Sequence, residues 1–291
     1  MEFAMAEMPL ALFSTLAPMG AGAFVLLAIA FLTGKFDGDA VKRIDRFTAI
    51  PVAFVIVGFI AAFFHLANPM NAFNVFSGVG TSPLSNEIVV GVVFTAIMLI
   101  YWIWAMTGKM SEGARKGLVA VTAVAGIIFA MFTGMAYMIG TIPSWDTFAG
   151  PIQIVGFALI GGAALGVLTL SLAGCSAELK ESSMRNATIA VLVVGLVFGI
   201  GGIAMQAGSA SGMENALYSG ADLVGNVMMV IVCGAICLVG TGVCDFFAVR
   251  GAGAGAVVGV SVGAAVLAVV GIVLLRLAFY GMQVSVGLSI L

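Results

Sequence analysis

The sequence predicts an all-α integral membrane protein, a bundle of eight transmembrane helices that forms a single domain over residues 1–291. Hydrophobic residues make up 62% of the chain and charged residues only 8%, whereas a typical soluble domain has about 25% charged residues. The mean hydropathy is +1.23. A soluble core has no room for this much apolar surface, but a bilayer solvates it.

Eight apolar runs of about 20 residues, the length that crosses a bilayer, define the helices. In order, they cover approximately residues 9–33, 47–66, 87–107, 117–139, 151–174, 187–207, 222–244 and 256–280. The connectors are short and hold most of the charge. The first run is expected to be a retained helix, because Glu2 and Glu7 precede it where a signal peptide carries basic residues.

The placement of lysine and arginine predicts the orientation of the bundle. Ten of the eleven basic residues lie in the loops after helices 1, 3, 5 and 7, which the positive-inside rule assigns to the cytoplasm. These ten are Lys35, Lys42, Arg43, Arg46, Lys109, Arg115, Lys116, Lys180, Arg185 and Arg250. The N-terminal tail and the remaining loops have none, so both termini are expected to be extracytoplasmic.

Glycines spaced four residues apart indicate close helix packing in two of the helices. Gly195 and Gly199 share a face of helix 6, and a longer series opens helix 8. The members of that series are Gly251, Gly255, Gly259 and Gly263. The run GAGAGA at 251–256 matches a dinucleotide-binding fingerprint only superficially, because no strand precedes it.

Ionisable side chains in or beside the apolar layer are costly, so each one is a functional hypothesis. His65, the only histidine, ends helix 2, and Glu87 opens helix 3 on the same side of the membrane. The polar, turn-rich segment 66–86 could fold back and hold these two side chains near one another. An imidazole and a carboxylate suit the oxidation of a hydroquinone, which loses two protons as two electrons leave. Arg276 lies near the outer end of helix 8, with Tyr280 one turn further on.

Each of these residues also has a purely structural interpretation. His65 can bond a backbone carbonyl at the interface, and Glu87 can complement the positive end of its helix beside Ser85 as the cap. Arg276 can snorkel to the outer surface or neutralise a carboxylate. The aromatic belt at the membrane boundary accounts most simply for Tyr280, Trp102, Trp104 and Trp145.

The sequence argues against several classes of function. A haem b held between two histidines needs a second histidine, and an iron–sulfur cluster needs a group of cysteines. The four cysteines form no CxxC pair and are expected to be packing residues: Cys175, Cys233, Cys237 and Cys244. No basic patch indicates nucleic-acid binding. The protein is therefore expected to hold no haem and no metal, and to pass any electrons to a cofactor on another polypeptide.

The segment HLANPMNAFNVFSGVGTSPLSNEI, residues 65–88, resembles the signature of the dimethyl sulfoxide (DMSO) reductase anchor subunit family, the DmsC type. It carries a His-Leu-x-x-Pro-x-x-Ala-Phe-Asn element and a Ser-Asn-Glu-Ile element at the family's spacing. Residues 8–10, the loop 141–145 and the segment 276–281 are also similar to that family. Helix number and loop placement resemble the family from end to end.

The resemblance implies a membrane anchor subunit of a molybdopterin oxidoreductase complex in the cytoplasmic membrane, active in anaerobic respiration. Such an anchor has no haem, oxidises menaquinol at its extracytoplasmic side, and passes electrons to a ferredoxin-like iron–sulfur subunit and then to a molybdopterin catalytic subunit. The functional His and Glu of the family map onto His65 and Glu87. The quinol-binding residues are then expected to include Asn74, Ser85, Asn86, Arg276 and Tyr280. Gln283 stands where some members have a histidine, so the proton pathway is not extended there.

Two other functions are compatible with the sequence alone. A secondary transporter would show inverted repeats and charges at mid-membrane, whereas the charges here lie at one interface and no clear repeat is visible. A purely structural anchor would have no quinone site. The leading interpretation is an anchor in which quinol oxidation occurs in this protein, while the terminal acceptor is reduced on a partner subunit.

Overall fold

The computed structural model describes residues 2–65, 69–251 and 253–286, without the side chains of residues 2–3, 69–73 and 254. Within these residues the protein is helical, apart from its connections and one isolated bridge between Glu214 and Ser219. Eight helical segments of the described sequence are long and apolar enough to cross a membrane. The predicted all-helical fold and the predicted number of spans are confirmed.

Ten α-helices make up most of the described residues. They are α1 (Glu2–Ala6), α2 (Met8–Thr33), α3 (Gly38–Phe47), α4 (Ala49–Phe63), α5 (Pro83–Met106), α6 (Glu112–Met135), α7 (Ala149–Leu172), α8 (Ser182–Ser211), α9 (Gly220–Arg250) and α10 (Ala254–Gly281). The helices α3 and α4 together form one span, and α1 is a short helix ahead of the first. Two 3₁₀ helices, Pro69–Gly78 and Glu178–Lys180, lie in the connections.

Several helices start earlier than the hydropathy of the sequence predicts, because capping residues fix where a helix begins. The helix α5 begins at Pro83 rather than near residue 87, with Ser82 as its N-cap. The helix α6 begins at Glu112, where the Ser111 hydroxyl caps the first turn. The polar first turns of these helices project beyond the apolar runs, so hydropathy alone misses them.

The helices α2 and α7 form the centre of the bundle. Of their most apolar stretches, 78% and 89% respectively are buried, against 22–44% in the other six spans. The two backbones approach so closely that a Cβ added to Gly22 would lie 1.7 Å from the carbonyl oxygen of Ala158. A Cβ added to Gly162 would lie 2.2 Å from the carbonyl carbon of Gly22. Glycine is therefore required on both sides of this central contact.

The predicted glycine packing is confirmed in α8 but is wrong in α10. At Gly195 and Gly199 an added Cβ would meet atoms of α7 within 3.1 Å. In contrast, no atom of the described residues lies within 4 Å of the corresponding position at Gly251, Gly255, Gly259 and Gly263. The α10 series faces away from the bundle, and this helix packs on α9 through Gly271, where an added Cβ would lie 3.0 Å from the carbonyl oxygen of Gly234.

The course of the polypeptide gives the bundle two chemically different ends. His65 follows the end of α4, and Glu87 lies in the first turns of α5, so both occupy one end, here called the His65 end. The start of α3 and the turn between α5 and α6 lie at the opposite end, which carries Lys35, Lys42 and Arg115 and is called the basic end.

Candidate functional site

A buried arginine, Arg276 of α10, joins three helices close to the His65 end. Its side chain has no exposed surface. The Nε atom donates to Ser14 Oγ at 2.7 Å, Nη1 donates to Gln153 Oε1 at 3.3 Å, and Nη2 donates to the Tyr280 hydroxyl at 3.0 Å. Because Ser14 lies in α2 and Gln153 in α7, the cation ties both central helices to the last span.

Three aromatic rings enclose the same guanidinium group. The Arg276 Cζ atom lies 4.2 Å from the ring centroid of Phe279, 4.7 Å from that of Tyr137 and 4.9 Å from that of Tyr280. The two tyrosine hydroxyls are 2.5 Å apart. The faces of aromatic rings attract cations. The charge is therefore stabilised by hydroxyl and amide dipoles and by ring faces.

The structure confirms that Arg276 faces the bundle interior, and the snorkelling interpretation is wrong. Its position differs from the expected one, however, because its hydrogen bonds reach α2 and α7 rather than the outer ends of the second and third spans. Among the described residues, no carboxylate oxygen lies within 4.0 Å of its guanidinium nitrogens. Arg276 thus forms no ion pair with Glu87.

Tyr280 and Trp145 are interior residues, so the aromatic-belt interpretation is wrong for both. The indole nitrogen of Trp145 donates to the carbonyl oxygen of Phe279 at 3.3 Å, and the Gln206 amide donates to the same oxygen at 3.3 Å. Trp104, in contrast, is an exposed side chain near the basic end and remains compatible with the belt. A buried hydroxyl or indole needs a polar partner. The Arg276 cluster, which comprises Arg276, Tyr137, Phe279 and Tyr280, supplies these partners.

Removal of the Tyr280 hydroxyl is expected to destabilise the bundle. The substitution Tyr280→Phe leaves one buried N–H of Arg276 and the Tyr137 hydroxyl without their partner, which costs about 1–3 kcal/mol. Thermal unfolding of the purified protein in detergent measures the change. The control is Tyr218→Phe, which removes the same hydroxyl from an exposed residue. Equal unfolding temperatures for the two variants would contradict a stabilising role for the cluster.

Glu87 is a buried carboxyl group in α5, near the His65 end. Its Oε1 atom has no hydrogen-bond partner among the described residues, and neither has the hydroxyl of Thr133 in α6. A buried acceptor left without a donor is costly, so this oxygen marks a position where a hydroxyl group from another molecule would be stabilised.

His65 lies beside Glu7, an acidic residue that the sequence did not mark as part of a site. Its Nε2 atom is 3.7 Å from Oε2 of Glu7, which precedes α2, and its side chain is 40% exposed. The described contacts do not join His65 to Glu87. The imidazole is therefore open to water and next to a carboxylate, while Glu87 is enclosed.

The segment between His65 and Glu87 folds back on the start of α5, as its turn-rich sequence predicts. The Gly80 amide donates to Asn86 Oδ1 at 2.7 Å, and a Cβ added to Gly78 would lie 2.6 Å from Ser85 Oγ. Residues 66–68 of this segment lie outside the described residues. The fold-back gathers the second half of the motif into one compact turn ahead of Glu87.

The three other motif residues occupy different environments. Ser85 is buried within the first turn of α5, and the expectation that it caps this helix is wrong, because Ser82 is the N-cap. Asn86 uses its side-chain oxygen to hold the turn at Gly80. Asn74 is exposed, and its backbone carbonyl accepts a hydrogen bond from Ser77 Oγ at 2.6 Å. Of the three, only Ser85 is buried as Glu87 is.

An apolar groove of about 540 Å³ lies between α4 and α5. Its walls include Phe59, Ile60 and Phe63 from α4, and Val92, Thr95 and Ala96 from α5. The side chains of Ile60, Phe63 and Val92 are about half exposed on the outer surface, which faces lipid in a membrane-spanning bundle. The Thr95 hydroxyl is buried and has no partner among the described residues. The groove is thus apolar, with a polar atom in its wall.

Phe59 connects this groove with the interior beside Glu87. Its ring stacks on Phe129 with the centroids 5.6 Å apart, and it lies 2.8 Å from a Cβ added to Gly91, one turn after Glu87. Glycine fits at position 91 because a Cβ there would lie too close to the Phe59 ring. The groove and the buried carboxyl group are therefore neighbouring features of the same helix.

Five residues around Arg276, Glu87 and His65 were not predicted from the sequence. Three of the five are polar side chains within apolar membrane spans, a pattern that can be recognised in the sequence. These three are Ser14, Thr133 and Gln153. Tyr137 and Glu7 give no such signal. Tyr137 stands near the end of the predicted span 117–139, where an aromatic residue is expected at the membrane boundary, and Glu7 precedes the first predicted span.

The four cysteines are free thiols in the structure. Burial raises the pKa of the Cys175 thiol to about 11, so this thiol stays protonated at neutral pH. The described part of the protein contains no group of three or more His, Cys, Asp or Glu residues that could hold a metal ion.

An eight-span helical bundle with a caged arginine and a buried carboxyl group near one end defines a multi-pass membrane protein with a polar site close to one membrane boundary. The profile of the family described as DMSO reductase anchor subunit (DmsC) matches residues 1–282. The protein belongs to this DmsC family of anchor subunits.

Three curated relatives align with almost the whole sequence. The C subunit of the anaerobic dimethyl sulfoxide reductase of Escherichia coli K12 is 31% identical over 285 residues, which is 98% of this protein and 97% of the relative. The C subunit of the same name from Haemophilus influenzae is 29% identical, again over 98% and 97% of the two sequences. The YnfH subunit of an anaerobic dimethyl sulfoxide reductase of Escherichia coli K12 is 28% identical over the same shares.

Proposed function

We propose that this protein is the quinol-oxidising membrane anchor of a DMSO reductase-like complex. The observation that carries this proposal is the buried Glu87 carboxyl group, with one oxygen unpartnered among the described residues. A groove that opens to lipid lies along the same helix, and its wall residue Phe59 packs against Gly91, one turn after Glu87. A hydroquinone dissolved in the membrane has the two properties that such a site requires of its ligand. Its hydroxyl group is a hydrogen-bond donor, and the rest of the molecule is apolar.

The proposed reaction removes two protons and two electrons from menaquinol and leaves menaquinone. Glu87 accepts one hydroxyl proton inside the bundle, and His65 accepts the other at the boundary with water. General-base catalysis requires a base within hydrogen-bond reach of the proton. Because His65 lies beside Glu7 and is 40% exposed, the protons leave to the water at the His65 end. Asn74, Ser85 and Asn86 shape the turn around the quinol head group.

Arg276 and Tyr280 act on the quinol through Glu87 in this proposal. Three hydrogen bonds and three ring contacts already hold the guanidinium in place. In this proposal, its fixed positive charge favours the negative charge that forms on Glu87, because a charge in a low-dielectric interior acts over a longer distance than in water. Tyr280 keeps that charge in one position.

In this proposal, the electrons leave to a partner subunit. The relatives are named as subunits of anaerobic dimethyl sulfoxide reductase. By analogy, we propose a ferredoxin-like iron–sulfur subunit as the acceptor and a molybdopterin subunit as the site of substrate reduction, both at the His65 end. Haem takes no part in this scheme.

Filling the groove tests the proposed site. The substitution Ala96→Trp adds a large ring to the groove wall, and it is expected to raise the KM for a menaquinol analogue about tenfold or more. Activity with a soluble donor that reduces the partner's clusters directly should not change. The control is Ala204→Trp, at an exposed position on α8. Equal quinol kinetics in both variants would remove the groove from the proposal.

The proposed orientation places the His65 end outside the cytoplasm. Reporter fusions at residues 40 and 112, in or beside the basic connections, are expected to report a cytoplasmic location. Fusions at residues 78 and 215 should report the outside, because the positive-inside rule holds the basic connections in the cytoplasm. The reverse pattern would place the His65 end in the cytoplasm and would contradict the proposed extracytoplasmic release of protons and position of the catalytic partners.

A purely structural anchor is the alternative that the same measurements address. In that case Glu87 only neutralises part of the field of Arg276, and the groove binds ordinary lipid. Quinol-dependent turnover would then tolerate changes in the groove. Membership of the DmsC family leaves the secondary transporter without support.

A further inference from the structure

A second cavity, of about 680 Å³, lies at the basic end, on the other side of the membrane layer from the proposed quinol site. It is formed by the end of α2, the start of α3, and the turn that leads from α5 into α6. It is larger than the groove between α4 and α5. Nothing in the proposed quinol chemistry uses this cavity.

The charges around the cavity are predominantly positive. Four basic residues line it, against two acids. The basic residues are Lys35, Lys42, Arg115 and Lys116, and the acids are Asp45 and Glu112. Two of the four cations are neutralised, because Arg115 pairs with Asp45 inside the bundle and Lys116 pairs with Glu112 at 2.6 Å.

Two lysines remain in excess at the rim. Lys35 has no salt bridge with a described acid. Lys42 pairs with Asp39 at 3.2 Å, but both side chains are more than 70% exposed. An ion pair in water contributes little, so Lys42 stays available to another anion.

The inner wall is apolar and includes two aromatic rings. Phe31 is buried, and the Arg115 guanidinium carbon lies 5.2 Å above its ring. Phe36 packs against Phe31 with the ring centroids 5.7 Å apart, and both rings line the cavity. The neighbouring Leu32 is 55% exposed on the outer surface of the bundle. A cavity with cations at its rim and rings inside suits a molecule that has an anionic head and an apolar body.

We propose that this cavity binds an anionic phospholipid of the adjacent leaflet. The phosphate group lies between Lys35 and Lys42, and the first part of an acyl chain lies against Phe31 and Leu32. Basic pockets between membrane helices are suited to such head groups. A free phosphate ion would use the lysines but would leave the apolar wall in water, so the lipid is the occupant that the whole lining fits. This assignment does not depend on quinol oxidation.

The test measures lipid binding by the purified full-length protein in mixed detergent micelles. Phosphatidylglycerol is expected to bind more tightly than phosphatidylcholine, which has no net charge. The double substitution Lys35→Gln and Lys42→Gln should weaken phosphatidylglycerol binding about 30-fold, since each basic residue at an anionic lipid surface contributes a factor of about five. Binding of phosphatidylcholine should not change.

The matched control is Lys109→Gln combined with Arg250→Gln, which removes the same charge from the same end of the bundle outside the cavity lining. An equal loss of affinity in the control would show a diffuse surface effect and overturn the site. Full competition by inorganic phosphate at millimolar concentration would assign the lysines to the free ion instead. Equal affinity for the two lipids would also reject the proposal.

Discussion

Glu87→Gln is expected to lower quinol-dependent turnover of the assembled complex by about 10²-fold or more, the contribution typical of a positioned general base. The amide keeps the size of the side chain but cannot accept a proton from the quinol. His65→Gln is expected to produce a loss of the same order, because it removes the imidazole to which the proposal assigns the second proton. Each variant is assayed with a menaquinol analogue and, separately, with a soluble donor that reduces the partner's iron–sulfur clusters directly.

The contrast between the two donors separates chemistry from assembly. The soluble donor should support normal activity in both variants, because the catalytic subunit is unchanged. Glu112→Gln serves as the control, since it removes a carboxylate whose side chain is 80% exposed at the basic end. Loss of activity with both donors would indicate failed assembly and favour the structural anchor. Full quinol activity in Glu87→Gln would rule out this carboxylate as a base.

Gly162→Val is expected to prevent stable assembly of the bundle. A Cβ at this position would lie 2.2 Å from a backbone carbon of α2, and backbone cannot move aside as a flexible side chain can. Overpacking in a well-filled core costs about 1–3 kcal/mol and occasionally more, and this clash lies between the two most buried helices. The yield of monodisperse protein after detergent extraction, and its unfolding temperature, measure the loss.

Gly259→Val is the matched control for this substitution. No described atom lies within 4 Å of the added Cβ, although the four-residue spacing of the sequence marks this glycine as an interface residue. The control should give a yield close to that of the unmodified protein. If Gly162→Val were tolerated equally well, the close approach of α2 and α7 would not be needed for folding.

The number and order of the spans were predictable because a bilayer imposes one strong length requirement on each apolar run. The ends were less predictable, with consequences for charged residues. Asp45 and Arg115 lay outside the predicted spans but form a buried ion pair. Asp245, one residue beyond a predicted end, is fully buried in α9. Pairing accounts for the burial of Asp45 and Arg115, whereas both carboxylate oxygens of Asp245 have no partner among the described residues. Neither arrangement can be read from local composition.

The candidate site was only partly predictable, for a similar reason. His65 and Glu87 stand at the two ends of a local motif, so one segment of sequence contains both. The interior position of Arg276 followed from the cost of exposing a cation to lipid. Its partners did not, because Ser14 and Gln153 are 262 and 123 positions away in the sequence. Periodicity within one helix carries no information about which helix will face it.

The hydrogen bond between Ser14 and Arg276 also bears on the order in which the protein is made. The first span emerges from the ribosome long before the last, so Ser14 and Gln153 are synthesised well before α10 is inserted. Before α10 is inserted, α2 and α7 have no cation to bind. The insertion of α10 supplies the charge of Arg276, which polar side chains of these two helices then bind. Biogenesis therefore ends in a closing step that joins the first and last spans. A polypeptide truncated before residue 276 would lack the cation that Ser14 and Gln153 bind, and the contact that joins the three helices would not form.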